Sequence, residues 1–315
     1  MEACYSQDEF NVSSYKATFM VITSLQAFAG MGINAFVVSV LCIGLVKKKT
    51  FNSNEKILLF LGCSRFWFLC ITWVYYFLAI IYPQCFNVRP IPQLFAAFQN
   101  FFNSSNLWVS ACLCIFYCIK IVNFRYIFFI YLKAKIDRIV PWLLLGSVLL
   151  SLVISILAYN FTDETHYNNS TKFGNFWKLD LRTDQRYFPL VFISGFEFAT
   201  AFLTVILSAL PLLFSLWRHK CKMQTNSEKT LSMDVNIKVI KSVLAFLIIY
   251  TINFTCLVLT LIYATKNESL LLFLILVFQY AFPALHSLIL IFSNPKLEKT
   301  LLKTLHYVKG KVCMR

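Results

Sequence analysis

The chain has 315 residues, 59% of them hydrophobic and 14% charged, with a formal net charge of +15. A soluble domain carries about 45–50% apolar and about 25% charged residues, so these proportions exclude both a water-soluble globule and a disordered chain. An all-α integral membrane protein remains, and whether the charge is a nucleic-acid footprint depends on where the basic residues sit.

Seven nearly charge-free runs are long enough to cross a bilayer as helix: 17–46, 57–82, 94–119, 139–159, 188–217, 242–264 and 269–292. They predict a seven-transmembrane helix bundle and a tail over 293–315, with no separate soluble domain. The period-two pattern of a membrane β-barrel is missing. Before the first run stand Glu2, Asp8, Glu9 and Lys16, without a basic leader, so the first span reads as an uncleaved signal anchor. The second run contains Arg65, about 13 Å deep at 1.5 Å per residue. An arginine there costs about 2.5–3.5 kcal/mol on insertion scales, so something must hold it. Asn34 of the first span and Ser287 of the seventh are the expected partners, in either a static anchor or an interhelical polar switch. On the third span Gln99 and Asn103 share a face at a spacing of four, and Asn106 extends the stripe. The fifth span holds Glu197, the one acid within a span. Its partner is either a cationic ligand or an arginine of the preceding loop, Arg182 or Arg186.

Of 11 cysteines, seven lie in spans and read as small apolar residues; Cys221 and Cys313 fall on the basic side, and Cys4 and Cys85 on the other. The loop between spans four and five has none, and no His/Cys cluster has metal-ligand spacing, so neither metal nor cofactor is expected.

The basic residues alternate in density. Those after spans one, three, five and seven number 21 of 29, against seven on the other side and Arg65 within a span. The positive-inside rule puts the tail in the cytosol and the N-terminus outside. The net charge is thus a sidedness label and a means of holding anionic lipid, with no nucleic-acid partner implied. Sequons at Asn160, Asn168 and Asn169 fall on the outer side and are the expected glycan sites; those at Asn103 and Asn253 lie within spans.

Several local patterns recur in order along the chain. The first span reads Gly30-Met-Gly-Ile-Asn34-Ala-Phe36 and the second Leu59-Phe-Leu61-Gly-Cys-Ser64-Arg65. The third ends Phe116-Tyr117-Cys-Ile-Lys120-Ile121-Val-Asn123-Phe124, and the fifth contains Leu212, Ser215, Leu216, His219 and Met223. The seventh closes His286-Ser287-Leu-Ile-Leu290-Ile291-Phe-Ser-Asn294-Pro-Lys296-Leu297. This set resembles the type 2 bitter taste receptors over about residues 30–298. Gly62, Ile119, Val122 and Glu298 depart from that family's usual residues, and the Asp-Arg-Tyr and Asn-Pro-x-x-Tyr motifs of rhodopsin-like receptors are missing.

The resemblance implies a plasma-membrane G protein-coupled receptor, not an enzyme. Small lipophilic bitter compounds would bind in the outer half of the bundle, at Gln99, Asn103, Asn106, Glu197, Tyr250, Asn253 and Gln279. A heterotrimeric G protein, gustducin or an inhibitory-class relative, would dock at Lys120, His219, Met223, Lys238 and Lys241. The competing readings are a type 1 pheromone receptor, opposed by the Ser64-Arg65 and His286-Ser287 pairs, and a transporter or channel. With 8 Gly and 8 Pro the chain is poor in the residues that interrupt transporter spans.

Overall fold

The computed structural model describes residues 2–48, 50–82, 88, 90–122, 127–168, 187–225, 243–256, 258–259 and 269–313. These residues form helices α1 (Glu2–Lys48), α2 (Ser53–Ile81), α3 (Ile91–Ile121), α4 (Ile127–Asn168) and α5 (Tyr187–Thr225). They continue with α6 (Val243–Cys256), α7 (Ser269–Ser293) and α8 (Pro295–Cys313). Five stretches, within α1 to α5, are each long and apolar enough to span a membrane. The described part of α6 is shorter, and α7 qualifies together with α8, from which it is bent by 100°.

Several helix ends follow from local chemistry. Before α2, the Asn52 backbone N–H donates to Glu55 Oε2 at 3.3 Å, the return arm of a capping box. Pro90 precedes α3 and Pro92 lies in its first turn, where a missing N–H loses no helical bond. The sharp turn into α8 is set by Asn294. Its Oδ1 accepts from the backbone N–H groups of Lys296 at 3.0 Å and Leu297 at 3.4 Å, while Pro295 starts the new helix.

The helices overrun the apolar stretches that announce them. The largest difference is α4, which begins at Ile127 rather than near 139 and runs to Asn168 rather than 159. Hydropathy marks what lies in hydrocarbon, whereas a helix continues wherever its backbone bonds do. Ile136, among charged neighbours, is buried at 2% exposure and extends the α4 face that packs on the core.

The helix α3 is buried nearly all round from Ser104 to Ile119, whereas α5 buries one face. On α5, Ala201, Val205, Ala209, Leu212 and Leu216 are buried at helical spacing, while Leu203, Leu207, Leu210, Phe214 and Trp217 on the other side are exposed and fit lipid contact. Close approach depends on small residues. A Cβ at Gly30 would meet Leu69 Cδ1 at 2.6 Å and Ala284 at 3.4 Å, so α1, α2 and α7 converge there. One end of the bundle is an apolar core of Leu41, Ile57, Leu61, Leu113, Phe116, Ile291 and Leu297, from α1, α2, α3, α7 and α8. Above α8, Lys296 crosses Gly44 of α1 to donate to Glu55 Oε1 at 2.7 Å.

Candidate functional site

Arg65 is held by neutral groups. It is 1% exposed. Its Nη1 donates to Ser287 Oγ at 2.9 Å and its Nη2 to Ser110 Oγ at 3.3 Å and to His286 Nδ1. Ser287 in turn donates to Asn34 Oδ1 at 2.8 Å, and Asn34 Nδ2 donates to the Gly30 carbonyl at 2.8 Å. One chain of bonds therefore ties α2 to α1, α3 and α7. Asn34 lies one link beyond Arg65, with Ser287 between. Hydrogen bonds to a charged group contribute about 1.5–3 kcal/mol each, enough for this shell to offset the insertion cost. An arginine only donates, so His286 Nδ1 must accept and the ring is neutral with its proton on Nε2. The imidazole sits between Phe246 of α6 and Phe282 of α7, with ring centroids 4.4 Å and 5.6 Å away.

Glu197 is buried on α5 and accepts from two side chains of α3, Ser104 Oγ and, at 2.9 Å, Trp108 Nε1. Arg182 and Arg186 lie outside the described residues. The α3–α5 seam is thus closed by a carboxylate with donors from within the bundle.

A cavity of about 440 Å³ opens between α2, α3, α5, α6 and α7. Gln99, Asn103, Asn106, Tyr250, Asn253 and Gln279 all line it. Arg65 lies at its floor, with Phe68, Phe198 and Phe282 on the walls. Glu197 is not among the described lining residues. From the floor an aromatic cluster leads into α5 and α6: Tyr250 lies 5.7 Å from Phe282 and 5.4 Å from Phe246, and Phe202 stacks on Phe254 at 4.4 Å. Ser110, His286, Ser104, Trp108 and Tyr280 belong to these surroundings, although spacing alone gave no reason to choose them.

At the opposite end, Lys120 is exposed, pairs with Asp137 at 3.5 Å and lies 5.0 Å from the Phe116 ring. A second, smaller cavity of about 120 Å³ lies nearby between α3, α5, α6 and α7. His219 and Met223 lie on α5 with side chains outside the described residues, as are Lys238 and Lys241 altogether. Asn160 is an exposed residue of α4, Asn168 ends that helix, and Asn169 and Cys85 lie outside the described residues.

This arrangement has known relatives. The family model for taste receptor protein (TAS2R) matches residues 12–309. The chain belongs to the type 2 taste receptor family. It is 30% identical over 305 residues to taste receptor type 2 member 9 of Macaca mulatta, covering 95% of this chain and 96% of that one. It is 31% identical over 320 residues to taste receptor type 2 member 40 of Gallus gallus, covering 96% and 98%. Among solved structures it resembles squid rhodopsin, with a TM-score of 0.60 at 13% identity over 94% of this chain and 86% of that one. The fold is therefore that of a seven-transmembrane G protein-coupled receptor. Membership makes the chain a multi-pass membrane receptor, not an enzyme, and the pheromone-receptor and transporter readings fall away.

Proposed function

We propose that the protein is a plasma-membrane receptor for small bitter compounds, which bind in the 440 Å³ cavity and activate a gustducin-type or other inhibitory-class G protein. The observation that carries this reading is the convergence of six amides, Gln99, Asn100, Asn103, Asn106, Asn253 and Gln279, on one aromatic-walled space that Arg65 also lines. Concave sites with apolar walls and a few polar groups suit small molecules, and amides adapt as donor or acceptor to many of them.

The charge distribution supports an orientation with the N-terminus outside and the cavity opening outward. Ligand contact at Tyr250 and Phe282 bears directly on α6 and α7 through Phe246 and His286. A ligand favouring one arrangement of these rings shifts the bundle by its differential affinity, opening the cytosolic ends of α3, α5 and α6 near Lys120, His219 and Met223. Arg65, Ser287 and Asn34 act in this reading as the polar switch between α1, α2 and α7.

The test is a calcium assay in cells carrying a gustducin-like or promiscuous Gα subunit, challenged with a broad panel of bitter compounds. A response that needs both receptor and Gα is expected. A well-expressed receptor silent to the whole panel would overturn the reading.

A further inference from the structure

Among the described residues, the cavity has a charge that its walls do not balance. Arg65 lines it, and the partners of its guanidinium are two hydroxyls and a neutral imidazole. Among the described residues no carboxylate pairs with it; the ion pairs there are Lys120–Asp137 and Lys296–Glu55. Its Nε has no hydrogen-bond partner, nor has the buried hydroxyl of Tyr250, which lines the same cavity. The neutral shell offsets the cost of burying the guanidinium but leaves its charge unbalanced, and the low dielectric there strengthens the attraction to any opposite charge brought to it. Glu197, the acid within a span, is turned instead toward Ser104 and Trp108 and is not a described lining residue. The described lining therefore carries one positive charge and no negative one. Around it stand the amides of Asn103 and Asn253, each carrying an NH2 group, and the faces of Phe68, Phe198 and Phe282.

We propose that the cavity floor is an anion subsite, taking the carboxylate of a small aromatic ligand between Arg65 and the Tyr250 hydroxyl while the aromatic body lies against the phenylalanines. The inference rests on this cavity being the ligand site. It reverses the preference that an intramembrane acid suggests: the favoured ligands are acids, not amines.

The experiment uses the full-length receptor purified in detergent and follows its thermal unfolding with benzoate, naphthalene-2-carboxylate and biphenyl-4-carboxylate. Each is compared with its methyl ester and with the corresponding arylmethylammonium ion. The best carboxylate is expected to bind at least about tenfold more tightly than its ester, as a charge-assisted pair in a dry site implies, with the ammonium ion weaker still. Arg65→Gln should bring the carboxylate-to-ester ratio close to one. Should that variant fail to fold, Tyr250→Phe keeps the guanidinium shell intact and should still lower the ratio several-fold. Esters or ammonium ions binding as well as the acids, no binding by any acid, or a ratio unchanged in Tyr250→Phe would each overturn the proposal. The same compounds in the calcium assay separate the two claims. Acids that bind without activating any Gα would contradict the receptor reading and leave the subsite standing. Bitter amines that activate through Asn103 while acids do nothing would contradict the subsite and leave the receptor reading standing.

Discussion

At the scale of single residues, the charge inside the bundle decides most. Arg65 announces itself in the sequence because a cation in an apolar run requires partners, and Ser287 and Asn34 are polar residues on neighbouring spans. Ser110 and His286 also bond Arg65 directly but were not legible as its partners. A serine within an apolar helix makes a back-bond to its own helix as readily as a contact across it, and Ser110 does both, donating to the Asn106 carbonyl at 2.6 Å while accepting from Arg65. Ser287→Ala removes an acceptor from Arg65 and a donor from Asn34 at a site only 2% exposed. It is expected to cost about 1–3 kcal/mol, read as a lower melting temperature of the purified receptor. Glu197 gives a second contrast. Glu197→Gln keeps an acceptor oxygen for Ser104 and Trp108 and should leave folding near wild type. Glu197→Ala strands both donors and should lower surface expression clearly. Equal loss in the two variants would show that the negative charge itself is needed.

At the scale of elements, apolar runs located the helices but not their ends. Lys133, Lys135, Asp137 and Arg138 look like loop residues by hydropathy, yet all are good or tolerable in a helix and belong to α4. The tail is similar: residues 293–315 read only as a cytosolic tail, whereas α8 forms because Asn294 and Pro295 start it. Leu297 is then buried, while Leu302, Leu305 and Tyr307 remain exposed on a helix rich in lysine, a pattern suited to a membrane surface. Asn294→Ala should destabilise the start of α8 by about 1 kcal/mol, the usual worth of a helix cap. Faster amide hydrogen exchange over residues 295–300 is the expected readout, with α2 and α3 unchanged.

At the scale of the whole molecule, sidedness and the cavity join into one account. The alternation of basic residues predicts an orientation, and the amide-lined space lies at the end of the bundle away from Lys120 and the tail. An epitope tag at the N-terminus should therefore be reached by antibody on intact cells, and one at the C-terminus only after permeabilisation. The sequence brought the amides of α3 onto one face by spacing alone. It gave no distance between helices, so the grouping with Tyr250, Asn253 and Gln279 came there from family resemblance rather than from the residues. Glu197 shows the same gap from the other side: its depth was legible, its direction toward α3 was not.

If this cavity receives the ligand whose binding drives G protein activation, its amides set the potency of agonists. The most direct measurement is the concentration–response curve for an activating compound on wild type and Asn103→Ala at equal surface level, with calcium as readout. The variant's curve is expected to shift by about tenfold or more toward higher concentration, or to be lost, because an amide contact at the site is gone. Superimposable curves, repeated for Asn253→Ala and Gln279→Ala, would contradict it.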